Sequence, residues 1–511
     1  MSSSFFVKLI FASISGFILS FGAPGYDLWF IPWIGLVPLF VLIETSKNIK
    51  EAFIYPFTFG FFYNSWYLHW LPSMHSLGWL GLSESESIFV SYLSYFMVVL
   101  HGALFFVLYS FILFIIKKFS LNPFSKGLIT NLIYSFLWLV VFNKIYSIKA
   151  FLGFPWTLVE YSQYKNLFLI QVAEFFGSTF ISFLIVLFNI VLAEIFLYIL
   201  NAQKIGNRIV SKDLGQFGNI VFSFSFVIIL ISASISVGGF LFYKNKSSFS
   251  KASKTVCVLQ GNLPIKATRG GVLDKNISKM TYENLIYKNE ATLFIASEGA
   301  LPVSFNSAPN AQNWLKQLSY KKQAGIIFGT YCDYSDKPTN CAAYASPDKK
   351  EFLFYEKQRL VPFGEFIPLS FILPAILKKL SQVGLSSSFK EGKETSPVQS
   401  NLGKIGLNIC FESIFPTLIR KLILKGANLL VNLSDLSWFS NERVRQQFLG
   451  FAVFRAIENR KPFVISANNG TSAFVDINGE IKSQTTSNTE GVLIDWIIPN
   501  NKLTFYTRYG W

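Results

Sequence analysis

Gly406-Leu407-Asn408-Ile409-Cys410-Phe411-Glu412 decides the reading of this chain: a short apolar run ends on a thiol, and residues 414–424 follow with the apolar spacing of a helix. A cysteine at a strand-to-helix corner feels the partial positive charge of the helix N-terminus, which predicts a lowered pKa and more thiolate. A free cysteine is also a common small buried apolar side chain, so this stretch alone leaves both readings open.

Two stretches upstream share the pattern. Leu293-Phe294-Ile295-Ala296-Ser297-Glu298 places a carboxylate where a buried strand emerges, a position suited to proton transfer, although a surface turn over 298–302 reads equally well. Lys357 lies at the start of residues 355–368, where two prolines and a glycine among bulky apolar residues predict a rigid loop holding Lys357 and Glu365 in place. A lone lysine is usually solvated, so the segment carries more weight than the residue. All three histidines (His69, His75, His101) lie in the first half, which excludes a Cys–His or Ser–His dyad within the second. Thiol, carboxylate and fixed cation together are the equipment of acyl transfer. No zinc-type Cys/His spacing, phosphate-cradling glycine loop or internal repeat occurs, so the reading includes no metal and no cofactor.

The 511 residues divide by composition. Residues 1–250 hold 14 of the 45 Lys/Arg and 9 of the 29 Asp/Glu, and they contain repeated apolar runs. Such runs suit a hydrocarbon core of roughly 30 Å. The domains read as 1–245, a transmembrane domain of about seven helices, and 251–511, a catalytic domain outside the cytoplasm. Spans are expected near 5–22, 28–44, 52–72, 88–116, 127–143, 166–200 and 218–243, the sixth long enough to tilt or project. The first is retained as an anchor rather than a cleaved signal peptide. Lys8, Lys47, Lys50, Lys117, Lys118, Lys126, Lys204, Arg208 and Lys212 fall on one side of these spans. By the positive-inside rule that side is cytoplasmic, and seven crossings then carry residue 251 outward. Lys144, Lys149 and Lys165 in the loop at 144–165 weaken the pattern without reversing it. The second half carries 31 Lys/Arg against 20 Asp/Glu, a net +11. That charge suits either a solvated surface or anionic headgroups, and no nucleic-acid partner is expected there.

Within 251–511, strands are expected at 255–259, 292–296, 325–330, 342–345, 352–355, 406–409, 428–432, 463–467 and 471–475. Helices fit 311–322, 414–424 and 443–459, giving an α/β domain. Cys257 reads as core. Cys332 and Cys341 flank a polar loop and can pair in an oxidising compartment.

These islands resemble the nitrilase, or carbon–nitrogen hydrolase, superfamily, whose Glu-Lys-Cys triad they match in order. The nearer resemblance is to its membrane-integral apolipoprotein N-acyltransferase family. It rests on Phe154-Pro155-Trp156 with Tyr161-Ser162-Gln163, Gln260-Gly261-Asn262, Ser297-Glu298-Gly299-Ala300-Leu301-Pro302, residues 355–368, Ile409-Cys410-Phe411-Glu412, Trp438-Phe439, Arg455-Ala456-Ile457-Glu458 and Asn468-Asn469-Gly470. The resemblance implies a four-layer α-β-β-α sandwich on a multi-span helical domain, in a bacterial inner membrane with the catalytic domain on the periplasmic face. It implies Glu298, Lys357 and Cys410 as catalytic residues and Glu365, Glu412 and Phe411 as supporting ones. Glu365 and Glu412 are expected to orient Lys357 and support the pocket, or else to form structural ion pairs. Trp438 and Phe439 are expected at the acyl entrance or in the core. The implied reaction moves an acyl chain from a phospholipid, through a Cys410 thioester, to the N-terminal amine of a diacylated apolipoprotein. The implied enzyme is a monomer.

Departures from the family pattern are visible. Thr268-Arg269 stands where a Lys-Trp pair is usual, Asp435-Leu436-Ser437-Trp438-Phe439-Ser440 replaces Asn-Asp-Ala-Trp-Phe-Gly, Gln446-Gln447 replaces Gln-His, and Phe411 replaces a tyrosine. A final transmembrane helix is usual after the domain, and 506–511 carries no apolar span. Two other functions fit less of the sequence: a membrane-anchored amidase with the same triad, and a transporter or binding scaffold, for which Glu174 and Glu194 are the chief ionisable residues in the spans.

Overall fold

A computed structural model of the chain describes residues 3–74, 77, 83–119, 127–149, 152–204, 211–246, 254–264, 272–333, 337–362, 364–366, 389–393 and 396–510. His75, Lys126, Arg208, Thr268, Arg269, Phe363, Ile367 and Pro368 lie outside these residues. Two compact units emerge: one of Met1–Leu71 with Tyr92–Phe242, and one of Pro72–Ser91 with Tyr243–Trp511.

The first unit is helical: α1 (Ser3–Leu19), α2 (Ile49–Tyr67), α3 (Glu84–Phe119, whose first residues belong to the second unit), α4 (Leu128–Trp138), α5 (Thr179–Lys204) and α6 (Ser211–Lys244) are its principal helices. Among the described residues five helices are long and apolar enough to cross a membrane: Ser4–Gly22, Glu84–Lys118, Leu128–Ser147, Thr179–Asn201 and Gly215–Lys244. The expected span at 28–44 is instead a pair of short helices, Pro32–Gly35 and Val37–Glu44, each with a proline in its first turn. Proline favours a first helical turn and blocks continuation from before it. Asn189 of α5 satisfies the break, accepting from Leu36 N at 3.0 Å and donating to Pro32 O at 2.9 Å. The expected span at 52–72 corresponds to α2, which has Pro56 inside it and is not among those five helices.

The run at 166–200 is not one tilted helix. It forms the short helices Leu167–Ile170 and Ala173–Phe176, and then Gly177 takes φ 75° before α5 begins. Glycine adopts that left-handed backbone without steric cost, so it ends one element and re-aims the next. A third ionisable residue joins Glu174 and Glu194. Glu160 is fully buried and accepts from Asn143 Nδ2 at 2.7 Å and from Ser182 Oγ.

The second unit holds two six-stranded sheets. The first contains β1 (Lys254–Gln260), β2 (Leu293–Ala296), β3 (Gly325–Cys332), β4 (Thr339–Ala345), β5 (Leu353–Glu356) and β12 (Gly491–Ile497), in the order β12-β1-β2-β3-β4-β5. The second contains β6 (Val398–Ser400), β7 (Gly403–Ile409), β8 (Leu429–Ser434), β9 (Phe463–Ala467), β10 (Ala473–Val475) and β11 (Ile481–Gln484), in the order β11-β10-β9-β8-β7-β6. Each sheet has three parallel central strands, β1-β2-β3 and β7-β8-β9, flanked by antiparallel ones. Continuous apolar runs such as Leu293–Ala296 are buried throughout, as a strand covered on both faces requires.

The sheets face each other, and Ser466 Oγ of β9 donates to Ile295 O of β2 at 3.1 Å. Helices α7 (Val272–Tyr287) and α8 (Pro309–Lys322) accompany the first sheet; α9 (Pro416–Leu424), α10 (Glu442–Asn459) and α11 (Phe505–Tyr509) accompany the second. This is the expected α-β-β-α sandwich. Strands β6, β11 and β12 and helices α7 and α11 were not among the expected elements, because their sequences lack apolar alternation or mix charges through it.

In the helical unit, α1 crosses α2 at Gly16, where any Cβ would overlap the carbonyl of Phe59. Gly16→Leu is expected to force these helices apart at a cost of about 1–3 kcal/mol. A lower thermal unfolding midpoint of the purified protein would measure it.

Candidate active site

The two sheets bring the three candidate residues together at strand ends. Glu298 follows β2, Lys357 follows β5 and Cys410 follows β7, so residues 112 positions apart in sequence converge on one site. Carboxyl ends of parallel strands are where open α/β sheets place their chemistry. Glu298 is held there by a close backbone approach. Gly329 of β3 donates its N–H to Ser297 O at 3.1 Å, and a Cβ on Gly329 would crowd the Glu298 backbone. The turn continues through Gly299 at φ 65°, and Leu301 N donates back to Gly329 O at 2.9 Å.

Lys357 lies between two carboxylates. Its Nζ is 3.2 Å from Glu298 Oε1 and 2.9 Å from Glu365 Oε1, and all three side chains are nearly inaccessible to solvent. Asn340 Nδ2 donates to the same two oxygens, at 2.7 Å and 2.9 Å. The remaining carboxylate oxygens are satisfied by backbone: Asp435 N donates to Glu298 Oε2 at 3.0 Å, and Val361 N to Glu365 Oε2 at 2.8 Å. Burial works against the charge on Lys357, but Glu298, Glu365 and the Cys410 sulfur outweigh it and hold the ammonium above the ordinary lysine range. Glu365 is thus in direct contact with Lys357.

Cys410 is half-buried and has a left-handed backbone, φ 51°. The expectation of a lowered pKa is corrected here. Burial pushes the thiol well up; the negative charges of Glu298 and Glu365 and a hydrogen bond to Glu298 add to that, and Lys357 opposes it. The chain leaves the sulfur through a tight turn, Cys410–Ile414, with α9 beginning only at Pro416, so the helix N-terminus does not govern the thiol. At rest Cys410 is a protonated thiol near the Glu298 carboxylate.

Glu412 does not contact Lys357 directly. It accepts from Ile409 N at 2.7 Å, Gln358 N at 2.6 Å, Arg359 N at 3.1 Å and Tyr355 OH at 2.8 Å, tying the thiol corner to the segment after Lys357. Phe411 is buried and packs edge-on against Phe415, a structural role. Trp438 and Phe439 are half-buried rather than core, and follow a turn in which Ser437 N and Oγ donate to Asp435 Oδ1.

Asn340, Asn432 and the Asp435 backbone were missed by sequence reasoning. Asn432 Nδ2 donates to Cys410 O at 3.1 Å and to Asn408 Oδ1 at 2.6 Å, bracing the corner from β8. Their only signal was polarity inside otherwise apolar strands, where a buried amide must find partners. The Gln260 and Asn468 islands meet in the same region: Asn262 N donates to Asn468 O at 2.8 Å, and Asn468 Nδ2 donates to Asp435 Oδ1 at 3.2 Å.

Residues 15–191 match the family model described as the apolipoprotein N-acyltransferase N-terminal domain, and residues 282–499 match that of carbon-nitrogen hydrolase. The apolipoprotein N-acyltransferase of Geobacter metallireducens is 27% identical over 98% of this chain and 91% of its own length. That of Pasteurella multocida is 25% identical over 98% and 91%. A crystal structure of a carbon-nitrogen hydrolase from Helicobacter pylori G27 aligns with 48% of this chain and 89% of its own at 20% identity, with a TM-score of 0.37.

Cys332 and Cys341 are disulfide-bonded across β3 and β4, next to Asn340. Thiol titration of the denatured protein should find two free thiols, Cys257 and Cys410, before reduction and four after it. Glu412 supplies a pH test, because burial pushes it up to about 7 against the pull of its four donors. That folded value lies above the unfolded carboxylate value of about 4.3, so its stability contribution is complete below that pH and is lost as pH rises through about 7. Denaturation midpoints compared from pH 5 to 8 should therefore fall for the native chain relative to Glu412→Gln.

Proposed function

We propose, for a chain that belongs to the apolipoprotein N-acyltransferase family, the transfer of a phospholipid acyl chain to the N-terminal amine of a diacylglyceryl-cysteine apolipoprotein. The single observation that carries the chemistry is the buried Lys357 ammonium 3.2 Å from Glu298 Oε1, at strand ends that also present the Cys410 thiol, which feels both charges. Glu298 takes the thiol proton as the sulfur attacks the ester carbonyl carbon. Lys357 faces the negative charge that develops on the carbonyl oxygen, and one such donor is worth about 2.7–4 kcal/mol in comparable sites. The ester C–O bond breaks, the proton passes from Glu298 to the leaving oxygen, and a lysophospholipid departs.

The thioester is then attacked by the lipoprotein α-amine, with Glu298 taking its proton. Collapse of the second tetrahedral intermediate expels the Cys410 sulfur, which recovers that proton, and an amide remains on the acceptor. Asn340 and Glu365 keep Glu298 and Lys357 in register throughout. Trp438 and Phe439, half-buried beside the Asp435 turn, serve as the acyl entrance.

The working arrangement is a monomer with residues 1–245 in the bacterial inner membrane and 251–511 as the catalytic domain on the periplasmic face. Support for that side comes from the loop charges and from a disulfide that suits an oxidising compartment. The carbon–nitrogen hydrolase match keeps one alternative open, in which water rather than an amine resolves the acyl-enzyme.

Intact-protein mass spectrometry from the native membrane should detect a hydroxylamine-sensitive fatty-acyl adduct that Cys410→Ser abolishes. Supplying phospholipid and diacylated lipopeptide should yield an N-acylated peptide. An adduct that survives in the variant, or release of free fatty acid or ammonia with no acylated peptide, would overturn the reading.

A further inference from the structure

Helices α9 and α11, which accompany the second sheet, belong to segments with a one-sided charge. Residues 416–427 and 500–510 contain Arg420, Lys421, Lys425, Lys502 and Arg508 and no aspartate or glutamate. Hydrogen bonds stitch these segments together in space. Arg420 donates to Tyr506 O at 3.2 Å and Arg508 O at 3.0 Å, and Asn428 Nδ2 donates to Asn501 Oδ1 at 2.8 Å beside Lys502. Lys404 joins them, its side chain lying against Gly426. The face is also aromatic. Phe505 is 52% and Tyr509 68% exposed, with ring centroids 4.9 Å apart, and Leu503 is 38% exposed.

The helices over the first sheet are different. There Glu283 and Glu290 are interspersed with the lysines, and Lys322 pairs with Glu290. A solvated surface has no need of uncovered aromatic and aliphatic side chains ringed by one sign of charge. That combination is what an interfacial membrane contact uses: cations attracted to anionic headgroups, and aromatic rings with polar tips at headgroup depth.

We infer that the α9–α11 face, with Phe505, Tyr509 and the cations Lys421, Lys502 and Arg508, docks on the surface of an anionic phospholipid bilayer. This contact is separate from the apolar helices that anchor the chain and from the acyl-transfer chemistry. It gives the catalytic domain a second, reversible hold on the membrane.

The test uses the full chain carrying Cys410→Ala, so that the buried Cys257 is the one remaining unpaired cysteine, with Tyr509→Cys as the labelling site for a small fluorophore. The protein is reconstituted into phosphatidylcholine vesicles with or without phosphatidylglycerol. The expected result is loss of emission to a nitroxide-bearing lipid and protection from aqueous iodide, both stronger with phosphatidylglycerol. Adding Lys421→Glu, Lys502→Glu and Arg508→Glu should reverse both effects. A label at Tyr320→Cys on α8 should stay open to iodide in either vesicle. If the charge-reversed chain fails to fold, raising salt on the parent label must reproduce the release. The inference is overturned if iodide reaches position 509 equally in vesicles and detergent, if phosphatidylglycerol makes no difference, or if positions 509 and 320 behave alike.

Discussion

One buried ammonium organises the catalytic domain. Lys357 sits with Glu298 and Glu365 where water does not reach, and removing three charged groups from water costs several kcal/mol per ion unless each finds partners. The partners come from separate parts of the fold: Asn340 on β4, the Val361 N–H after β5, and the Asp435 N–H after β8. Loss of one member would leave a desolvated charge uncompensated, at a cost of ~3–5 kcal/mol. Both sheets are therefore committed to the same cluster. The arrangement that stabilises a fixed cation also fixes where the Glu298 carboxylate and the Lys357 ammonium stand.

The protonation of the thiol depends on that cluster. Left alone in this environment, Cys410 holds its proton tightly, because burial and two carboxylates oppose a thiolate. In the proposed reaction Glu298 turns that penalty into a mechanism, since the proton leaves only as the sulfur attacks. A sulfur kept neutral at rest is also less exposed to oxidation than a standing thiolate.

Much of this is legible in the residues. Glu298, Lys357 and Cys410 stand out because each ends or follows a short apolar run, and strand ends are where side chains leave a core. Glu365 is legible from the rigid segment that carries it. Asn340 is not, because an asparagine in a strand gives no hint of which carboxylates lie across the sheet. Asp435 contributes an N–H, which every residue but proline has. The sign of the Cys410 shift escapes a local helix-end argument, because two carboxylates distant in sequence set it together with burial. Apolar content predicts the helical unit, but prolines at 32 and 38 and a glycine at 177 cut two expected spans into shorter pieces.

The backbone of Cys410 carries a restriction of its own. At φ 51° a side chain branched at Cβ collides with its own peptide group, whereas cysteine and serine have one heavy atom beyond Cβ and fit. Threonine, a competent nucleophile in other hydrolases, is thereby barred from this corner by torsion before its reactivity is ever in question. For the proposed reaction, stereochemistry narrows the attacking atom to sulfur or a primary hydroxyl, and of those two sulfur leaves more readily when an amine arrives.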